Sequence, residues 1–139
     1  MVKIFVYGTL LEGCRNYERF LKGHVFSIQS AFVKGSLYSI KHQDYPALID
    51  GDQMIHGEIM EIDEQFLPVL DQLEGYYGKN DPMNEYNKKI VPIYDKNECK
   101  IDCLPVYFYN LDHSKQSDSL EAIITSNDYR KWIHSSHTS

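Results

Sequence analysis

The stretch "KIFVYGTLLEG", Lys3 to Gly13, decides how this chain is read. Lys3 to Tyr7 is a strand pattern that stays apolar on both faces from Ile4 onward, which predicts a strand inside a sheet. Gly8 stops it, and Thr9, Leu10 and Leu11 follow. A glycine here lets the backbone turn sharply and lets a ligand approach it closely. Successive N–H groups in such a turn, those of Gly8, Thr9 and Leu10, can point together and hold an anion or a developing oxyanion. An ordinary turn after a strand has the same appearance, so both readings stay open at this point. No G-K-[ST] follows, so the turn is not a P-loop.

Outward from that stretch the chain reads mostly as strands. Asn16 is placed to cap a short helix carrying Tyr17, Phe20 and Leu21 on one side. Phe26 to Ile40 is rich in β-branched and aromatic residues with Gly35 inside, which predicts two strands or one strand bent at the glycine. His42 to Gln53 reads as a loop with a rigid Tyr45-Pro46 step, and Ile55 to Ile62 as an alternating strand. Asp63 then caps a helix whose Phe66, Leu70 and Leu73 form a buried stripe, with Pro68 opening the main helical segment and Gly75 ending it. Tyr76 to Glu85 is a polar loop. Tyr86 to Tyr94 and Leu104 to Asn110 read as strands joined by a turn near Asp95 to Glu98. Asn127 or Asp128 caps a last helix that docks Tyr129 and Trp132. Strands and helices do not alternate regularly. The expected class is therefore α+β with a curved or partly closed sheet, not a doubly wound parallel sheet.

The length of 139 residues suits one domain, 1–139, with one core and a frayed tail from about His134 to Ser139. A net charge of -6 lacks the basic face that a nucleic-acid binder needs, although Lys88 and Lys89 form a local basic pair. Three cysteines without a C-x-x-C argue against a zinc knuckle or redox pair and set a reduced, cytoplasmic location as the expectation. Met1 to Tyr7 is too short for a signal peptide, and no apolar run reaches the roughly 20 residues that span a bilayer. Eleven tyrosines are many for this length and would suit a Tyr-lined pocket as well as a wet core edge.

Glu74, in "LDQLEGY", is the carboxylate of interest. At a helix C-terminus it faces the negative end of the dipole. Turned inward, it would be desolvated and its pKa raised, which suits a general base near neutral pH; turned outward, it is an ordinary solvated side chain. Asp71, three residues earlier, is the competing carboxylate, but its place opposite the buried stripe predicts solvation. Cys14 has no histidine in a motif with it, which argues against a nucleophile pair, and the scattered histidines argue against a metal site.

Taken together in order and spacing, "FVYGTL" (Phe5 to Leu10), "DYPALI" (Asp44 to Ile49), "GEIMEID" (Gly57 to Asp63), "LEGY", "DPMNEYNKKIVPI" and "VYFY" (Val106 to Tyr109) resemble the γ-glutamylcyclotransferase-like family. The likeness is greatest to its small γ-glutamylamine cyclotransferase-like, or AIG2-like, members and covers residues 2 to about 111. The resemblance implies a small mixed barrel-like sheet with a few short helices. It implies release of 5-oxoproline from a small-molecule γ-glutamyl amine or amide, by attack of the substrate's own α-amine on its γ-carbonyl. It implies no metal or organic cofactor. By the same resemblance Glu74 is the general acid/base, the Gly8–Leu10 backbone holds the glutamyl head, and Tyr7 orients substrate or loop. Relatives commonly carry an arginine after the tyrosine that follows the glutamate; "EYNKK" has Asn87 and Lys88 instead, and a lysine is a point charge where arginine is a fork. The other class consistent with the same residues is a binding module that holds a small carboxylate on this loop without chemistry.

Overall fold

The computed structural model describes residues 1–113 and 116–136. In chain order the elements are β1 (Val2–Val6), β2 (Val25–Ile40), β3 (Pro46–Ile62), α1 (Leu67–Leu73), β4 (Tyr86–Tyr94), β5 (Lys100–Tyr109), β6 (Leu120–Ile123) and α2 (Tyr129–Ser136). The sheet runs β1-β3-β2-β4-β5, with β6 added to β2, and each described ladder is antiparallel. The α+β reading with few short helices holds. The sheet is open along its path but curled: β1 and β5 approach each other, and the Tyr7 hydroxyl donates to the Tyr107 carbonyl between them.

That curl corrects the reading of β1 as a central strand. Among the described residues β1 pairs only with β3 and ends the sheet. Ile4, Phe5 and Val6 are buried all the same, because the curl brings β5 over the side that an open sheet would leave wet. A run that is apolar on both faces reports that both faces are covered; it does not report a second ladder.

The segment read as a loop, His42 to Gln53, is strand from Pro46 onward. Proline opens β3, where its missing N–H costs the ladder nothing. Ala47 and Leu48 are fully buried and pair with Tyr38 and Leu37 of β2. The polar "DGDQ" sits at the register shift between Gly35 and Ser36, with its side chains in solvent. β2 is the single bent strand of the two alternatives. β5 begins four residues before Leu104, at Lys100, and β6 was not foreseen. α2 forms as expected, with the Lys131 N–H donating to Asp128 Oδ1 at 3.2 Å, and extends to Ser136. The rest of the tail, 137–139, lies outside the described residues.

α1 has seven residues, too few to be stable alone in water. It is fixed from both ends and beneath. Asp63 Oδ1 accepts the Gln65 N–H at 3.0 Å in the preceding tight turn. Leu70 is fully buried, and Phe66 and Leu73 pack against the same core. Gly75 ends the helix at φ +64°, a left-handed conformation that glycine adopts without steric cost. Glu74, the residue before it, is thereby aimed by the helix and by the reversal.

Candidate active site

The turn after β1 is built from carbonyls. Gly8 O accepts the Leu11 N–H at 3.0 Å, and Thr9 O accepts the Asn16 and Tyr17 N–H groups at 3.0 and 3.1 Å. Among the described residues, no backbone hydrogen bond uses the N–H of Gly8, Thr9 or Leu10. Gly8 does not adopt a left-handed φ; what glycine gives here is a close approach, since a Cβ would meet the Pro46 ring at 3.0 Å. Asn16 does not cap with its side chain. Its Nδ2 donates instead to Thr9 Oγ1 at 2.8 Å and locks the turn, while Tyr17–Leu21 forms one wide helical turn closed by the Lys22 N–H on Tyr17 O.

A cavity of about 180 Å³ opens beside this turn. Tyr7, Gly8, Thr9, Leu10 and Glu74 all line it, together with Arg15, Tyr45, Glu85, Tyr86 and Tyr107. The five residues singled out in the sequence therefore meet in one place, although 64 positions separate Leu10 from Glu74. Glu74 turns inward and is partly buried. Its carboxyl pKa is raised to about 8, by desolvation first and then by the negative charges of Glu85 and Asp71. Tyr7 is buried and its hydroxyl is committed to Tyr107, so it fixes the strand end rather than offering a free donor; burial and nearby Glu74 push its pKa well above the usual tyrosine range.

Asp71 is not the solvated carboxylate expected. It accepts the Tyr107 hydroxyl and lies 2.8 Å from Lys88 Nζ. Lys88 in turn sits 5.1 Å from the Tyr76 ring centroid and 5.6 Å from that of Tyr107. The lysine that stands in the "EYNKK" segment is thus the counter-charge of the carboxylate one helical turn before Glu74. Cys14 is half-buried, and burial pushes its thiol up; its charged neighbours among the described residues are Arg130, Glu58 and Asp128, which makes it a poor nucleophile.

The residues missed by sequence are Arg15, Glu85 and Tyr107. Arg15 pairs with Asp44 at 3.0 Å on the rim. Glu85 Oε2 accepts the Tyr45 hydroxyl at 3.0 Å, and the Tyr86 hydroxyl donates to Pro46 O at 2.6 Å. The excess of tyrosine was the available signal: Tyr7, Tyr45, Tyr86 and Tyr107 all line the cavity. Behind the turn, the Glu12 N–H donates to Glu58 Oε1 at 2.8 Å, and Arg130 Nη2 donates to Glu12 O at 2.7 Å and lies 3.3 Å from Glu58. Outside this cavity, Ser30 Oγ lies 2.8 Å from His56 Nε2, and His56 Nδ1 lies 3.3 Å from Asp128 Oδ2; the contact ties β3 to the start of α2. Among the described residues no group of three His, Cys, Asp or Glu is placed to hold a metal ion, and no helix is long and apolar enough to cross a membrane.

A family model described as "Gamma-glutamyl cyclotransferase, AIG2-like" matches residues 4–131, past the segment that the motifs cover. The gamma-L-glutamyl-butirosin B gamma-glutamyl cyclotransferase of Niallia circulans is 33% identical over 102 residues, 73% of this chain and 59% of that protein. The chain thus spans about three fifths of that relative's length. A protein of Methanocaldococcus jannaschii, whose name places it provisionally among the gamma-glutamylcyclotransferases, is 30% identical over 134 residues, 95% of this chain and 98% of its own. Among solved structures, an AIG2-like protein of Mus musculus has the same fold, with TM-score 0.66 at 23% identity over 88% of this chain and 85% of that one.

Proposed function

Because the chain belongs to the gamma-glutamyl cyclotransferase, AIG2-like family, we propose that it releases 5-oxoproline from a γ-glutamyl amine or amide, with Glu74 as general acid/base. The observation that carries this reading is the Glu74 carboxyl, raised to about 8, in the same cavity as the Gly8–Leu10 turn. A site that only bound a carboxylate would have no use for a second carboxyl turned inward beside it. The Niallia circulans relative is named for gamma-L-glutamyl-butirosin B, which supports a γ-glutamyl compound as the substrate class here.

The chemistry needs little from the protein beyond posture and proton handling. Nucleophile and electrophile belong to one molecule, so the cavity has to hold the glutamyl chain folded, with its α-nitrogen against its γ-carbon. The substrate's α-carboxylate and its γ-carbonyl oxygen are the two groups that suit the N–H groups of Gly8, Thr9 and Leu10. The α-amine, with an ordinary pKa near 8, arrives largely protonated. Once that ammonium proton has passed to solvent, Glu74 takes a second proton from the attacking nitrogen as the N–Cγ bond forms, and the developing oxyanion is held by the turn. The bond from Cγ to the leaving nitrogen then breaks, and Glu74 returns the proton to that nitrogen. The products are 5-oxoproline and a free amine; no water is consumed and no electrons are exchanged.

The test is 5-oxoproline release from a panel of γ-glutamyl amines, γ-glutamyl amino acids and glutathione, with wild type and Glu74→Gln. We expect product from at least one γ-glutamyl amine, and loss of it by two or more orders of magnitude in the variant with the fold intact. Turnover that survives Glu74→Gln would remove Glu74 from its role; no product from any compound would favour the binding module.

A further inference from the structure

We infer that Glu85 makes this cavity select γ-glutamyl compounds whose leaving amine carries a second, cationic group a few atoms away. The inference rests on the cyclotransferase reading of the same cavity and names the chemistry of its leaving group.

The charges on the cavity wall do not balance. Its lining holds two carboxylates, Glu74 and Glu85, and one guanidinium, Arg15. Arg15 is taken by Asp44 at 3.0 Å, with both side chains about half exposed. The neighbouring ammonium, that of Lys88, is taken by Asp71 at 2.8 Å. Neither cation is left to neutralise the cavity's own acids. Glu74 alternates between its two protonation states in the proposed reaction, so it is no fixed counter-charge for a ligand. Glu85 is. It is partly buried, it forms no ion pair among the described residues, and its one side-chain hydrogen bond, from the Tyr45 hydroxyl to Oε2, leaves Oε1 available. Its backbone is held where it is by three bonds, the Glu85 N–H on Gly75 O at 3.0 Å, and the Asn110 N–H and Gln116 Nε2 on Glu85 O at 2.9 and 3.1 Å. Gly75 directly follows Glu74, so the two carboxylates are mounted on opposite sides of one short backbone contact. Tyr45 and Tyr86 line the same wall, and aromatic faces beside an unpaired carboxylate favour an ammonium. A leaving group that ends in a carboxylate would meet like charge there; one that ends in an alkyl group would leave Glu85 unpaired and dehydrated.

Three probes separate these cases: the γ-glutamyl derivatives of 1,4-diaminobutane, of n-pentylamine and of 4-aminobutanoate. The first two have nearly the same shape and differ in the terminal charge. Binding is measured by calorimetry on the Glu74→Gln chain, where the compounds stay intact if Glu74 is the base. The expected result is that the diamine derivative binds about tenfold tighter than the pentylamine derivative, as a charge-assisted hydrogen bond would give, with the carboxylate derivative weakest. The ratio falls toward one in Glu74→Gln/Glu85→Gln, where the amide still accepts from Tyr45. If the double variant does not fold, the ratio in the single variant must shrink as salt is raised. A ratio near one in the single variant, tighter binding of the carboxylate derivative, a ratio unmoved by Glu85→Gln, or one insensitive to salt overturns the assignment. Wild-type turnover of the three compounds keeps the two readings apart. Product from none, with the binding ratio intact, defeats the cyclotransferase reading alone. Equal turnover of the diamine and pentylamine derivatives, with a binding ratio near one, defeats the Glu85 assignment alone. No binding of any of them defeats both.

Discussion

At Glu74 the sign of the charge effects decides what pH does. Desolvation and two neighbouring carboxylates all oppose ionisation, and the carboxyl titrates at about 8 instead of near 4.5. The proposed reaction needs Glu74 ionised, as the base, and the substrate's α-amine neutral, as the nucleophile, and that amine's own pKa is also near 8. Below that pH both groups carry a proton that blocks the attack; above it both are free, and the leaving nitrogen receives the proton that Glu74 takes from the attacking nitrogen. We therefore expect kcat/KM for a γ-glutamyl amine to rise through about pH 8 and level off above it, and a plateau already reached by about pH 6 would remove the shifted carboxyl from the rate. The same shift bears on stability. The unfolded chain loses this proton at an ordinary carboxyl pKa, whereas the folded chain keeps it up to about 8. Between those values the folded state binds more protons, so raising the pH through that window destabilises it. Glu74→Gln removes the penalty. Its Tm advantage over wild type should be smallest near pH 5 and grow toward pH 9; an advantage that shrinks with rising pH contradicts the shift.

At the scale of elements, two short pieces position the residues of the proposed chemistry: the end of β1 and the end of α1. A methyl added to Gly57 of β3 would lie 2.3 Å from the Val6 carbonyl oxygen and 2.4 Å from Phe5 Cζ. Gly57→Ala should push β1 off β3, cost on the order of 1–3 kcal/mol, and weaken substrate binding through the displaced Gly8 turn. Thermal melts together with KM check both halves, and a wild-type Tm would show that the sheet gives way freely. Leu70→Ala acts on the other piece. It empties a fully buried position under a seven-residue helix, at a cost of about 2–5 kcal/mol, and should lower kcat as Glu74 loses its aim. Both elements could be read in the sequence because each is local: an apolar run stopped by Gly8, and a 3.6-period stripe stopped by Gly75. The first half of β3 could not, because "DGDQ" is polar and strand only by pairing with β2 across the shift at Gly35. The position of β1 at the sheet's end was hidden for a related reason, since burial says nothing about how many ladders a strand makes. Glu85, Arg15 and Tyr107 reach the cavity from three separate segments, and no spacing in the chain announces that meeting.

Across the whole molecule, the last helix closes back on the first turn. Arg130 of α2 donates to Glu12 O at 2.7 Å and lies 3.3 Å from Glu58, whose Oε1 accepts the Glu12 N–H. Beside it the Tyr129 hydroxyl donates to Asp44 O at 2.6 Å, and Asp44 holds Arg15 on the cavity rim. One turn of α2 therefore pins both loops that border the cavity, from more than 80 residues away. Glu58 is buried, with 10% of its side chain exposed, so it depends on Arg130 for neutralisation. Arg130→Ala should leave that carboxylate with the Glu12 N–H as its remaining partner and release the Glu12 carbonyl. Since a third of the Arg130 side chain is in solvent, water recovers part of the loss, and we expect a cost of about 1–3 kcal/mol. The effect should be felt unevenly. Amide exchange and proteolysis between residues 8 and 16 should quicken more than in β4 and β5, and KM should rise more than kcat falls, because in the proposed reaction the turn binds the substrate while Glu74, at the end of α1, moves the proton. Arg130→Ala/Glu58→Gln, which removes the stranded charge, should regain part of the Tm but little of the KM, since the Glu12 carbonyl stays unheld. A uniform loss of protection, or a KM restored by the second substitution, would mean that α2 stabilises the fold without holding the turn.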